Sequence, residues 1–296
     1  MDPSAFQKFK QAQKAYPEML CKRWRLLYKT YRRLRLMPFS RLSKNPLACS
    51  LGFGILMRHG VEGMVISNAL LHRINPAGKT MAQLMDAMGG KIPHRALLDK
   101  ARKMTNGIAH PFVTSDRRPS FSQMNAFYQA SFKAVLDAHL LDLKKIKRGA
   151  LRKSAKRASR YLSVIKKQLE HFSFCHSLTA ALLRGCLVRQ LTECAANFWC
   201  WQWGILPTDA STEENPIELS GVLTALSEIA KGNAPPKEQI SHLFELKNLS
   251  NALMHADPFD LNIILRRGKA LAKSHRLIKG ACCPRVLKKR LKNILM

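Results

Sequence analysis

Apolar side chains along this chain recur at three- and four-residue steps, and no run of strand length alternates apolar with polar. β-Branched residues are sparse as well. A chain patterned in this way buries its apolar residues as helix stripes, so the expected fold class is all-α, with a small helical N-terminal domain and a larger helical bundle. With 296 residues, 46% of them apolar, it can close a real core and is no solvated basic tail. Punctuation places a basic amphipathic helix within 1–44, a small helical domain over 45–112, a helical bundle over 120–280 and a basic amphipathic tail over 281–296. The clearest boundary is HPFVTSDRRPS at 110–120, which holds two prolines and two arginines.

Charge sets the class of partner. The chain carries 50 Lys and Arg against 19 Asp and Glu, a net +31. Thirty-one of those cations lie in three tracts without a single acid: nine in 21–45, eleven in 144–167 and eleven in 266–292. Self-repulsion on that scale opposes compaction unless a polyanion screens it. Nucleic acid, RNA or DNA, is the partner this favours, because each neutralised phosphate releases condensed counterions. Other subunits of a nucleoprotein complex are a second expectation, and an anionic membrane surface is the less favoured rival. The start, MDPSAFQKFKQAQKAYPEM, has no apolar stretch behind its basic residues. The longest apolar run, PLACSLGFGILM at 46–57, is well short of the roughly 20 residues of a spanning helix. The expectation is a soluble, cytoplasmic protein.

The eight cysteines form no CxxC pair and are irregularly spaced, which reads as free thiols in a reducing compartment. His171, Cys175 and His176 lie together, but a fourth ligand at matching spacing is missing. No metal and no cofactor is expected.

Within the basic tracts the spacing is helical. Residues 18–36 place Trp24, Leu27, Tyr31 and Leu34 on one stripe, with Arg25, Lys29, Arg32 and Arg33 on the other side. The rings serve either a core or base stacking. Over 45–110, eight glycines read as turns between several short helices. KTMAQLMDAMGGKIPHRALLDKARKM reads as two helices around Gly89 and Gly90, the second beginning near Pro93 and carrying His94, Arg95, Lys100, Arg102 and Lys103 outward. That spacing fits either a helix-turn-helix reading a groove or a plain structural hairpin. A long helical run over about 121–170 carries Phe121, Met124, Phe127 or Tyr128, Phe132, Val135, Leu136, Leu140 and Leu143 as its apolar stripe. Past Leu143, Lys145, Arg148, Arg152, Lys156 and Arg160 follow at three- and four-residue steps, flanked by Lys153 and Arg157. Like charges at i, i+4 destabilise an isolated helix, so a row of them is best understood with phosphates along it. Ala150, Ala155 and Ala158 slim the other side, for close approach to a ligand or to a neighbouring helix, and Gly149 marks a kink or break.

Farther on, LTAALLRGCLVRQLTECAANFWCWQWGIL reads as a buried helix whose three tryptophans serve the core, with base stacking the less favoured alternative. Residues 209–260 then reverse the charge, with nine acids and three bases. The last tract reads as a helix to about Lys279 and a second after Pro284, able to meet nucleic acid, a membrane or a partner groove.

Catalytic fingerprints are few. NPAGKT at 75–80 ends like a phosphate-binding loop but lacks the earlier glycine and the preceding strand. One constellation stands apart: ELKNLSNALMHADP sets Asn251 and His255 at i, i+4, with Lys247 one turn earlier. This segment resembles the active-site stretch of the HEPN family of small helical-bundle domains, many of which are ribonucleases with an Arg, a polar residue, three others and then His. The resemblance implies His255 as an acid/base residue beside the scissile phosphate, with Asn251 orienting it. Ser250 stands where the family has its phosphate-holding arginine, and Lys247 is the available substitute. Two functions follow as expectations. The first is a non-catalytic nucleic-acid binder whose phosphate contacts are Arg25, Arg32, Arg33, Arg95, Lys145, Arg148, Arg152, Lys153, Lys156, Arg157 and Arg160. The second is a divergent HEPN-like ribonuclease or a peripheral protein of anionic membranes.

Overall fold

A computed structural model describes residues 3–36, 39–109, 119–147, 149, 151–210, 217–230, 237–255 and 259–281. The protein is all-α, and no strand occurs among the described residues. Its helices are α1 (Pro3–Ala12), α2 (Tyr16–Leu36), α3 (Phe39–Leu42), α4 (Pro46–Leu71), α5 (Met81–Met88), α6 (Arg95–Ala109), α7 (Phe121–Phe127), α8 (Lys133–Lys145), α9 (Leu151–Glu170), α10 (Ser177–Trp203), α11 (Leu219–Ala230), α12 (Lys237–Met254), α13 (Leu261–Lys273) and α14 (His275–Ala281). None of these is long and apolar enough to cross a membrane.

Two helices form the centre. Both α4 and α10 are apolar nearly all round, the pattern of a helix surrounded by protein. Around α4 pack α6, α7 and α9, and around α10 pack α2, α12 and α13, while α4 and α10 touch each other. The segments 45–109 and 119–281 therefore share one continuous apolar core.

The largest departure from the sequence reading is α4. Gly52, Gly54, Gly60 and Gly63 do not punctuate short helices; they lie within one 26-residue helix that Asn45 caps and Pro46 opens. Their role is close packing. A Cβ on Gly63 would sit 2.7 Å from Leu162 of α9, and one on Gly54 2.5 Å from Ile108 of α6. The glycines are slots that let neighbouring side chains reach the central backbone.

The run over 121–170 is likewise divided. A π-helical turn at Tyr128–Phe132 joins α7 to α8, and its extra residue advances the phase so that Phe127 and Tyr128 are both buried. Chain direction then changes after Lys145, with Gly149 at φ 89°, and α9 packs against both α8 and α4. In the hairpin region the helix begins at Arg95, two residues later than expected, because His94 adopts φ 56°. Near the C-terminus the helix expected to reach Lys279 is two helices, α13 and α14, meeting at Ser274. The piece after Pro284, most of the 110–120 segment, and Arg148, Ala150, Cys282 and Cys283 lie outside the described residues.

The aromatic stripe of α2 is core. Trp24 and Tyr31 are 2% and 1% exposed, so neither ring can stack a base. Trp199 and Trp201 of α10 are core as well, with Trp203 half-buried beside them, and Trp201 packs edge-on to Phe6 and Phe9 and so docks α1.

Candidate functional site

Charged residues break the apolar character of the central helices at matched spacing. On α4 the sequence RHGVE sets Arg58 and Glu62 four apart, and on α10 RQLTE does the same with Arg189 and Glu193. All four side chains are buried, yet all line one cavity of about 790 Å³. Helix α12 brings Lys247 and Asn251 to that cavity, and His255, just past its end, completes the wall. Loop 75–80 closes one side; its Thr80 caps α5 in a reciprocal capping box with Gln83.

The three candidates from the HEPN-like segment are therefore brought together. His255 Nδ1 meets Glu62 Oε1 at 2.9 Å, a contact between residues 193 apart in sequence. A buried carboxylate on one ring nitrogen fixes the imidazole and leaves Nε2 to act on a ligand. Asn251 Oδ1 accepts from Arg189 Nη1, while Arg58 Nη1 donates to Asn106 Oδ1 at 3.1 Å. The guanidiniums stand 3.9 Å from their own glutamates, Arg58 from Glu62 and Arg189 from Glu193, too far for a hydrogen bond. Burial works to raise the pKa of Glu62, but the His255 hydrogen bond and the charges of Arg58 and His255 hold it down to about 2. Burial pulls Arg58 below the usual guanidinium range, with Glu62 pushing back.

A second histidine braces the site from behind. His59 Nε2 donates to the Leu253 carbonyl at 2.9 Å, satisfying one of the free carbonyls at the end of α12, and Nδ1 takes the Tyr161 hydroxyl. Burial lowers the His59 pKa to about 4, so this ring is neutral and structural.

Ser250 explains why no arginine stands there. Its side chain is 0% exposed and donates to the Leu246 carbonyl at 2.7 Å, so the position faces the interior behind the cavity. Cations reach the cavity from α4 and α10 instead. The sequence reading missed Arg58, Glu62, Arg189 and Glu193; the available signal was a pair of Arg-x-x-x-Glu steps inside otherwise apolar helices. It also dismissed the 75–80 loop. That loop is no strand-to-helix phosphate loop, yet Lys79 and Thr80 do line the cavity.

The surface cations divide into several groups. On α9, Arg152, Lys153, Lys156, Arg157 and Arg160 are all exposed, and no ion pair engages them among the described residues. Ala155 and Ala158 are buried on the far face, so the slim side serves packing within the protein. Lys145 ends α8, bonds Asp142 at 2.7 Å, and does not continue the α9 row. On α2, Arg25 and Arg32 are exposed and Arg33 is half-buried. Arg95 is tied to Asp86 at 2.5 Å and to the Gly89 carbonyl. Arg102 and Lys103 pair with Asp99, and Lys100 lies over the Phe127 ring. Of these α6 cations, Arg95 is the one that joins α6 to α5, while Arg102 and Lys103 pair within α6.

No family model, no curated protein and no solved structure matches this chain.

Proposed function

We propose that the protein binds nucleic acid, RNA or DNA, through the phosphate backbone, as a non-catalytic component of a nucleoprotein complex. The observation that carries this reading is the exposed row on α9. Arg152, Lys153, Lys156, Arg157 and Arg160 line one side of a helix whose other side is core, and no acid among the described residues neutralises them. A rigid helix with cations at three- and four-residue steps follows a phosphate backbone without reading bases. Arg25 and Arg32 of α2 offer a second contact on another helix.

The test is fluorescence-anisotropy titration of single- and double-stranded RNA and DNA at several salt concentrations. Each phosphate contact contributes roughly 0.7 to 0.9 to the slope of log K against log salt. R152A/K156A/R160A is expected to flatten that slope by roughly 2 to 3 and to weaken all sequences alike. An unchanged slope overturns the reading. Flotation with anionic liposomes but no nucleic-acid binding would replace it with a membrane partner.

A second reading, a divergent HEPN-like ribonuclease, is favoured by the cavity. Lys247, Asn251 and His255 face it together, and Glu62 holds the His255 ring. His255→Ala is then expected to abolish RNA cleavage while leaving binding intact. Purified wild-type protein that leaves single-stranded RNA whole ends this reading.

A further inference from the structure

We propose that the cavity between α4, α10 and α12 is a binding site for a nucleotide-sized phosphate ester, its phosphate held among Arg58, Arg189 and Lys247. This inference is independent of the α9 reading and requires no catalysis.

Arg58 supplies the leading argument. The residue is only 5% exposed, it lines the cavity, and its Nε has no hydrogen-bond partner. A buried cation with an unmet donor costs about 1–3 kcal/mol or more. Nε itself is closed to a water-sized group, so an oxyanion entering the cavity would have to be met by the Nη groups.

How the guanidiniums are held supports the same conclusion. Arg58 and Arg189 are oriented by the amide oxygens of Asn106 and Asn251, which are neutral acceptors. Their i+4 glutamates stand at 3.9 Å and balance charge without occupying the donors. A guanidinium has five N–H groups, so both keep capacity for a bidentate oxyanion. Lys247 and Lys79 add point charges to the wall. The cavity is also where α11 begins, at Leu219 and Ser220, with the N-terminal dipole end of a 12-residue helix.

The acids of the wall do not cancel this. Glu62 is engaged by His255 and Glu193 lies beside Arg189. Asp209 accepts from Tyr16 at 2.6 Å and from Asn197 at 3.3 Å, and burial pushes its pKa up to about 8, leaving it largely protonated at neutral pH. Glu218 accepts from the Ser220 hydroxyl at 3.3 Å. These oxygens suit sugar hydroxyls and exocyclic amines, while Ile66, Leu84 and Ile217 give an apolar wall for a ring. A volume of about 790 Å³ falls within the range of roughly 300–1,000 Å³ typical of small-molecule sites.

Isothermal titration calorimetry tests the proposal with AMP, CMP, a 5′-phosphorylated trinucleotide of RNA, and adenosine as the unphosphorylated control. Wild-type protein is expected to bind a phosphorylated probe and not adenosine. Lys247→Ala and Arg189→Gln are each expected to weaken binding at least tenfold, and R152A/K156A/R160A to leave it unchanged. Lys247 is half-buried and unpaired among the described residues, so its alanine variant reports on the site even if Arg189→Gln fails to fold. Mononucleotide binding assigns a free nucleotide, and binding of the trinucleotide alone assigns a strand terminus; either upholds the site. Absence of binding by every phosphorylated probe overturns the proposal. So does binding that survives Lys247→Ala, or binding lost in the α9 variant instead.

Discussion

Glu62→Gln probes the centre of the cavity wall with a change of almost no volume. Glu62 and Arg58 have side chains each 6% exposed and 3.9 Å apart, and His255 Nδ1 reaches the same carboxylate oxygen at 2.9 Å. The glutamine oxygen can still accept from His255, so the perturbation removes charge and keeps the hydrogen bond. Burial works to raise the Glu62 pKa, but the His255 hydrogen bond and the charge of Arg58 outweigh it and lower the value from 4.5 to about 2. At 1.36 kcal/mol per pKa unit, the ionised carboxylate contributes about 3 kcal/mol. For a depressed acid that contribution is complete above pH 4.5 and is lost as pH falls through about 2. An independent route gives a similar size: stranding one member of a buried ion pair costs about 3–5 kcal/mol. Urea denaturation at pH 7 should therefore show E62Q less stable by about 3 kcal/mol, with the melting temperature lower by roughly 6–9 °C. At pH 3.5 the difference should shrink to about 2 kcal/mol. Adding Arg58→Met removes the stranded cation, and R58M/E62Q should be more stable than E62Q alone. A loss below about 1 kcal/mol in E62Q, or a double variant no better than the single, would refute the electrostatic account.

Three further outcomes follow from the packing and the buried titratable groups. Burial lowers His59 and His139 from 6.5 to about 4, so protons favour the unfolded chain between those values and stability falls on acidification; Asp209, raised from 3.8 to about 8, acts in the opposite direction. From pH 7 to 5 Asp209 returns about 3 kcal/mol, so Asp209→Asn should lose about 3 kcal/mol more than wild type over that range, as read by urea melts at both pH values. Gly185→Ala directs a methyl onto Leu253 Cβ at the α10–α12 crossing, where no flexible side-chain end can yield; a loss of about 1–3 kcal/mol is expected in the same melts. Ser250→Arg, which restores the arginine spacing of the HEPN pattern, should lower thermal stability and create no cleavage, because that position is fully buried.

Fold class was legible because the helical period runs through the chain, and the buried stripes of α2 and of α7 and α8 were assigned residue by residue. What escaped depended on knowing the neighbour. A glycine in the sequence reads as a turn by default, and Gly54 and Gly63 declare themselves as packing slots only once Ile108 and Leu162 are seen against them. The spacing from Lys145 to Arg160 looked like one ridge because charge periodicity survives a break. The turn before Gly149, at φ 89°, moves Lys145 onto a different helix. Surface cations pose a related difficulty: Arg95 looks as free as Arg152 in sequence, and only the fold puts Asp86 beside it.

The cavity shows a different kind of legibility. Asn251 and His255 were found through a short pattern, but the residues that give them chemical meaning lie 62 and 193 positions away. Three helices each bring a polar pair at i, i+4 to one place: Arg58 with Glu62, Arg189 with Glu193, and Asn251 with His255. The pairs on α4 and α10 are anomalous on their own helices, since charges in a helix surrounded by protein cost stability unless partners meet them. Apolar residues at those positions would pack the α4–α10–α12 junction without that cost and leave no unsatisfied Arg58 Nε. A core that places four charged side chains around open volume, while filling the rest with Leu, Ile and aromatic residues, has given up stability locally in the way ligand sites do. The external α9 row and this internal cavity are separable in the same way: neutralising α9 should change salt dependence without touching the cavity, and Lys247→Ala should do the reverse.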